Sequence, residues 1–336
     1  MSENAGSASR DVSWDVDGIE VYGTLTYPES KGPDPGIVFV AGSGPTDRNW
    51  TSPLLPGRNG SGKLLAEALS HAGFVCLRYD KRASGSHVKE NLPRLIGKIS
   101  MKSHVDELIG AVETLLKTPE TDRKRIFALT SSEGAIHALN YQRQSRKNRF
   151  NGLILTGAPG RAVGAVARSQ ILQQVQSLPD SQSIMNLYDR AIDSYIAGKA
   201  VEIDKSLPEA IQSIISGLSV PANLPFAREL WTTDPAKLLA GIREPVLVLI
   251  GKKDVQVDWR ADGGLLEKAM AGRKNATFAY PENANHVLKH DETPREIINL
   301  GDATQHYNDD ECYLDPEVLS TIVQWLKQTL SISSSS

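Results

Sequence analysis

Three residues of this chain stand where a serine hydroxyl can be turned into a nucleophile. The first lies in Arg125 to Asn140, RIFALTSSEGAIHALN. The mostly apolar run Ile126 to Thr130 has strand length, Ala135 to Leu139 reads as the start of a helix, and Ser131-Ser132-Glu133-Gly134 lies between them. A serine at such a corner is lifted clear of the sheet, and its side chain is presented to a pocket. It also sits at a helix N-terminus, where free N–H groups and the positive dipole end can hold a developing oxyanion. Gly134 keeps the second position after Ser132 small, so the helix can pass close to the strand. Two residues before Ser132, Thr130 stands where a glycine would complete a G-x-S-x-G string. Ser132 is the candidate nucleophile.

A serine hydroxyl needs a histidine to take its proton and a carboxylate to hold that imidazole in the right tautomer. Asp254 closes Gly251-Lys-Lys-Asp254 directly after the apolar run Val246 to Ile250. His286 ends Pro281-Glu-Asn-Ala-Asn-His286, after the strand-like Ala276 to Tyr280. Each has a plain structural alternative, a turn-forming aspartate and a loop histidine. Asp258 competes for the carboxylate role, and His290 and His306 compete for the histidine role. His104 and His137 read as structural, one near a helix start and the other one turn into the helix after Ser132. An oxyanion hole needs two backbone donors. Glu133 N–H, directly after the nucleophile, is one candidate. The loop after Ile37 to Ala41 offers the other, Ser43 first and Gly44 next. That loop is also glycine-rich, as phosphate-binding loops are. It breaks at Pro45, and neither G-x-x-x-x-G-K-[ST] nor G-x-G-x-x-G is met.

The elements that must position these groups follow from periodicity. Val12 to Val16 and Ile19 to Tyr27 alternate around Asp17-Gly18, a hairpin signal. Gly36 to Ala41 is wholly apolar, as expected of a strand covered on both faces. A helix is expected over Gly60 to Gly73, a strand over Phe74 to Tyr79 and an irregular segment over His87 to Met101. A helix capped by Ser103 should then run to Leu116. The Ser132 strand and helix and a strand over Gly152 to Thr156 come next. From Gly157 to about Thr233 the pattern turns helical, in Ala165–Leu178, Gln182–Ala197 and Ser206–Leu218. Strand, helix (Gly263 to Ala271) and strand resume with Val246, and a helix over Pro316 to Leu330 closes the chain. Alternating strands and helices imply a mostly parallel sheet with its site at the carboxyl ends of the strands.

The chain has 336 residues, 40 % hydrophobic and 23 % charged, with a net charge of −3. This gives no electrostatic reason to expect nucleic acid or an anionic membrane as partner. The expected partner is a small-molecule substrate, with self-association left open. Cys76 and Cys312 show no metal-ligand spacing, so no metal is expected, and Cys76 sits in an apolar run that suits a buried inert thiol. The polar start MSENAGSASRDVSWD has no apolar h-region, and no run approaches a membrane span, so a cytoplasmic location is the expectation.

The segments VFVAGSGPTDR, LRYDKRASGS, ALTSSEGA, VLVLIGKKDVQV and NANHVLK, in the chain order Ser, Asp, His, resemble the α/β-hydrolases of the esterase/lipase and serine-aminopeptidase-like (prolyl-oligopeptidase-type) group. The resemblance spans roughly residues 19 to 330. It implies an α/β-hydrolase fold with a core over 1–157 and 236–330; the helical pattern between these parts reads as a cap inserted over 158–235, and the serine-rich end as a disordered tail over 331–336. It also implies a Ser-His-Asp triad, acyl-enzyme chemistry and no cofactor. The expected activity is that of a carboxylesterase acting on a small or medium ester. Lactone, thioester or C–C hydrolysis, acyl transfer and peptide cleavage use the same triad, and a non-enzymatic binding protein is the reading from another class. The sequence departs from the group's pattern at Thr130 and at Ala83, which replaces the first glycine of D-x-R-G-x-G. Candidate substrate contacts are Asp47 and Arg48 beside the oxyanion loop and Tyr188, Phe226 and Trp231 in the cap. A loop-shaping salt bridge and self-packing of the cap are the structural alternatives. A peptidase would need a cap acid to grip an amine, and Glu202, Asp204 and Glu209 are equally placed for that.

Overall fold

The computed structural model describes residues 6–29, 32–55, 57, 58, 60–298, 303, 304, 307 and 313–333. Eight strands form one sheet: β1 (Ser7–Val16), β2 (Ile19–Pro28), β3 (Asp34–Val40), β4 (Val75–Tyr79), β5 (Thr121–Ser131), β6 (Gly152–Thr156), β7 (Val246–Leu249) and β8 (Ala276–Ala279). Their order is β1-β2-β4-β3-β5-β6-β7-β8. β1 and β2 pair antiparallel, β2 joins β4 antiparallel, and every other neighbour is parallel. The opening hairpin turns at Asp17 and Gly18, both with positive φ (52° and 76°), as a type I′ turn requires.

The helices are α1 (Ser61–His71), α2 (Val88–Leu95), α3 (Met101–Lys117), α4 (Gly134–Gln144), α5 (Val163–Val175), α6 (Ser181–Ile196), α7 (Glu209–Leu218), α8 (Phe226–Thr232), α9 (Pro235–Ala240), α10 (Ala261–Ala269) and α11 (Pro316–Ser333). Both faces of the sheet are covered, which is why its inner strands read as unbroken apolar runs. Val38, Val40, Val246 and Val248 point into one core with Leu108 and Leu139. Their neighbours Ile37, Phe39, Leu247 and Leu249 point into the other, with Leu65 and Ile322. A third apolar cluster, including Ile171, Met185, Tyr188, Ile211 and Trp231, belongs to the helices between β6 and β7.

Local chemistry moves three boundaries. The segment expected to be irregular holds α2, with Pro93 inside it. Helix α3 starts earlier than expected, because Ser100 is the cap. Its hydroxyl accepts from Ser103 N–H while the Ser103 hydroxyl accepts from Ser100 N–H, a reciprocal box that makes Ser103 the third helical residue. Helix α11 continues through Ser331–Ser333, so the disordered tail expected over 331–336 does not begin at Ser331; residues 334–336 lie outside the described residues. Cys76 is buried, and burial pushes its thiol pKa up, while Cys312 and His306 lie outside the described residues. Among the described residues no helix is long and apolar enough to cross a membrane.

Candidate active site

The chemically interesting side chains stand past the carboxyl ends of the parallel strands. β5 ends at Ser131, and Ser132 turns the chain with φ of 52°, a left-handed conformation that costs a serine energy and marks a constrained turn. Three bonds lock the corner: Ser132 N–H donates to Thr156 C=O (2.8 Å), and Ala135 and Ile136 N–H donate to the Ser132 and Glu133 carbonyls (3.0 and 2.9 Å). Gly134 is required here. A Cβ on it would stand 2.3 Å from Val40 O and 2.8 Å from Ala41 O, so α4 crosses β3 in direct backbone contact. Thr130 is accommodated because its hydroxyl donates to Ile154 C=O (3.2 Å) and its carbonyl accepts from the Thr156 hydroxyl (2.6 Å). Wholly buried between β5 and β6, its one polar group is satisfied.

Asp254 follows β7 and is fully buried. One carboxylate oxygen accepts from Gln256 and Val257 N–H (2.8 and 2.9 Å), and the other meets His286 Nδ1 at 2.7 Å. That bond sets the imidazole tautomer that leaves Nε2 to act. His286, after β8, lines a cavity of about 180 Å³ with Gly42, Ser43, Ser132 and Tyr307. A second cavity, about 220 Å³, shares Ser43 and Ser132 and is walled by Ile136, Val163, Val166 and Leu230. The chain therefore brings Ser132, His286 and Ser43 to one space, with Asp254 behind the histidine.

The rivals have other partners. Asp258 accepts from Arg260 and Ala261 N–H at the start of α10 (2.9 and 2.8 Å). His290 pairs with Asp315 at 2.7 Å, and that carboxylate raises its pKa. Among the oxyanion candidates, neither Ser43 nor Glu133 N–H donates to a partner among the described residues. Gly44, with φ of 70°, lies instead on a third cavity of about 430 Å³.

The candidate substrate contacts divide. Asp47 shapes its own loop, accepting from Asn49 and Thr51 N–H (2.8 and 2.9 Å). Burial raises its pKa against those bonds. Arg48 forms a two-pronged pair with Asp80 (3.0 and 2.7 Å) rather than with Asp47. Tyr188 and Trp231 are buried in the third apolar cluster and are not among the residues that line either Ser132 cavity, because the inserted helices pack on one another. Phe226 lines the third cavity beside Glu133 and His104.

Sequence reasoning missed a buried polar cluster behind the corner. His137 Nε2 lies 3.2 Å from the Glu133 carboxylate, and its ring packs on His104 (centroids 4.5 Å) and Phe226 (5.8 Å). Glu107 binds Arg82 at 2.9 Å, both side chains buried. Burial works against the Glu133 carboxylate, but the His137 bond and nearby positive charge outweigh it and hold its pKa at about 2. Burial, reinforced by His104, drives His137 down to about 4. Lys81, also buried, donates to Gly42 C=O at 2.5 Å. The signal for this cluster was Asp80-Lys81-Arg82, three charges in a row at the end of an apolar strand.

The fold and strand-end site define an α/β hydrolase, and the alpha/beta hydrolase family profile matches residues 37–300. The chain belongs to that family. It is 25 % identical over 309 residues to Esterase EstD of Thermotoga maritima, covering 90 % of this chain and 65 % of that protein's length. Similar solved structures include GrgF, an alpha/beta hydrolase from Penicillium sp. sh18 (TM-score 0.57, 15 % identity, 96 % of this chain and 99 % of that one). Est1E from Butyrivibrio proteoclasticus is another (TM-score 0.55, 13 % identity, the same coverage).

Proposed function

We propose that this chain is a serine hydrolase that cleaves carboxylic esters through an acyl-enzyme on Ser132. The observation that carries the reading is the 2.7 Å His286–Asp254 bond at the wall of a cavity shared with Ser132. His286 takes the Ser132 proton as the hydroxyl oxygen attacks the ester carbonyl, and Asp254 stabilises the imidazolium. Ser43 and Glu133 N–H receive the oxyanion. The tetrahedral centre collapses, His286 gives the proton to the leaving alcohol, and a water molecule repeats the sequence to free the acid. Because His286 protonates the alcohol, the alcohol belongs in the 180 Å³ cavity beside it. The acyl chain takes the 220 Å³ cavity under α5, where 158–235 serves as the cap over a core of 1–157 and 236–330. The likeness to Esterase EstD supports ester chemistry.

Peptide cleavage has less support. Glu202 and Asp204 line a separate cavity with Arg190 and Lys199 that has no residue in common with those at Ser132.

The test is turnover of p-nitrophenyl esters from acetate to decanoate by wild type and Ser132→Ala. Wild type is expected to favour short and medium acyl chains, with kcat falling roughly 10⁴-fold or more in the variant. A variant that keeps wild-type turnover would overturn the reading.

A further inference from the structure

Lys81 is a buried cation that the proposed reaction leaves unused. It follows β4, and its carbonyl is held by Ser84 N–H and hydroxyl (2.8 and 3.1 Å). Its ammonium reaches across to Gly42 C=O at 2.5 Å. Its flanking residues are spoken for, Asp80 by Arg48 and Arg82 by Glu107. A buried ammonium loses its hydration, and other groups must replace it. Burial lowers the Lys81 pKa, and the Glu133 and Glu107 carboxylates oppose that shift.

The acceptor is what gives this contact a consequence. Gly42 C=O and Ser43 N–H belong to one peptide group, and that peptide is trans, since the one cis bond among the described residues is Leu224–Pro225. In a planar trans peptide the C=O and N–H point in opposite directions. A group that fixes the carbonyl therefore also fixes the N–H, aimed the other way. The two sides of this loop are distinct. Lys81 lines the 430 Å³ cavity, which does not include Ser132, whereas Gly42 and Ser43 line the 180 Å³ cavity, which does. Gly42 also lies directly on the corner: a Cβ there would stand 3.1 Å from Ser131 O and 3.3 Å from Ser132 Cβ. A positive donor on the carbonyl further polarises the peptide and makes its N–H a stronger donor.

We infer that Lys81 is a positioning residue for the oxyanion hole, clamping Gly42 C=O so that Ser43 N–H is aimed and polarised toward the carbonyl oxygen of a substrate on Ser132. This rests on the reading of Ser132 as nucleophile and Ser43 as oxyanion donor. Lys81 itself touches no reacting atom.

The experiment compares wild type, Lys81→Met, which keeps length without a donor, and Lys81→Gln, which keeps a neutral donor. Each is first checked for a cooperative thermal transition, and Lys81→Gln carries the test if Lys81→Met does not fold. Losing an oxyanion donor outright costs about 10²- to 10³-fold, so losing its aim is expected to lower kcat roughly 10- to 100-fold in Lys81→Met, less in Lys81→Gln, with KM within about twofold. Inhibition by an aryl trifluoromethyl ketone, whose adduct carries the oxyanion, should weaken by the same factor as kcat/KM. A merely structural role would lower stability without that parallel. A folded variant with kcat near wild type, or a loss carried by KM with ketone affinity unchanged, overturns the inference. Fluorophosphonate labelling of the wild type separates the two levels. Labelling at Ser132 together with unaffected Lys81 variants sinks the Lys81 role alone. A wild type not labelled at Ser132 sinks the nucleophile assignment and this inference with it.

Discussion

The His286–Asp254 and His137–Glu133 pairs both lie close to Ser132, and they differ in geometry and surroundings. In His286–Asp254 the contact is 2.7 Å, the carboxylate's second oxygen is occupied by two loop N–H groups, and the imidazole stands at the wall of a cavity that Ser132 also lines. In His137–Glu133 the contact is 3.2 Å along one helix, both side chains are buried, and His137 packs against His104 and Phe226. Its Nδ1 has no partner among the described residues. His290–Asp315 is a third such pair, again 2.7 Å, and it ties the loop after β8 to the start of α11. Pairing alone thus says little about chemistry. Asp315 is held by two backbone N–H groups just as Asp254 is, so what distinguishes His286 is the cavity it shares with Ser132, the proposed nucleophile.

The sharpest way to break this contrast is to neutralise each carboxylate partner or ring in turn. Asp254→Asn is expected to lower kcat roughly 10³- to 10⁴-fold with KM little changed, because the amide favours the wrong imidazole tautomer. His137→Gln is expected to cost less than about tenfold. Steady-state hydrolysis of a p-nitrophenyl ester measures both, and a larger loss in His137→Gln would reverse the assignment of the two pairs.

Acid should then separate them by stability. His137 has a folded pKa of about 4, below its ordinary 6.5, so the unfolded chain takes up the proton first as pH falls. The stability linked to it is fully present above pH 6.5 and is lost progressively toward pH 4, by roughly 3 kcal/mol for this shift. Glu133, held at about 2 instead of 4.5, adds a loss of the same sign from pH 4.5 downward. Urea unfolding between pH 7 and 4 should show the decline, and His137→Gln should flatten it. An unchanged slope in the variant would remove His137 as its source.

The smallest effect is expected in the helices between β6 and β7. The Tyr188 hydroxyl is buried with no partner among the described residues, and burial pushes its pKa up to about 12. Tyr188→Phe removes a polar group that gains nothing from its surroundings, so stability should change by less than about 1 kcal/mol and kcat by less than twofold. A large loss of turnover would instead place Tyr188 at the substrate.

How much of this was legible in the sequence depended on how local each cause was. Strands β3, β5 and β7 announced themselves as apolar runs because both faces of the sheet are covered. Ser132 and Asp254 announced themselves because each follows such a run, and His286 because it stands in the loop after the short, partly exposed strand β8. The capping box at Ser100 was missed because Ser103 has the same residue type and lies three positions on. Helix α2 was missed because Pro93 and its polar residues mask the pattern. The Lys81–Gly42 contact joins residues 39 positions apart in sequence. Nothing in either segment encodes the other, and only the pairing of β3 with β4 brings them together. The segment between β6 and β7 was legible as helical, but periodicity gives an apolar face without saying what covers it. Tyr188 and Trp231 turned that face toward their own cluster.

The central claim is a covalent intermediate on Ser132, and the most direct measurement is to trap it. Wild type mixed with p-nitrophenyl acetate, acid-quenched during turnover and mapped by peptide mass spectrometry should carry an acetyl group on Ser132. Asp254→Asn should acylate far more slowly at the same residue, and Ser132→Ala should carry none. An acetyl group on Ser131 or Ser43, or turnover with no acylated serine at all, would contradict the account.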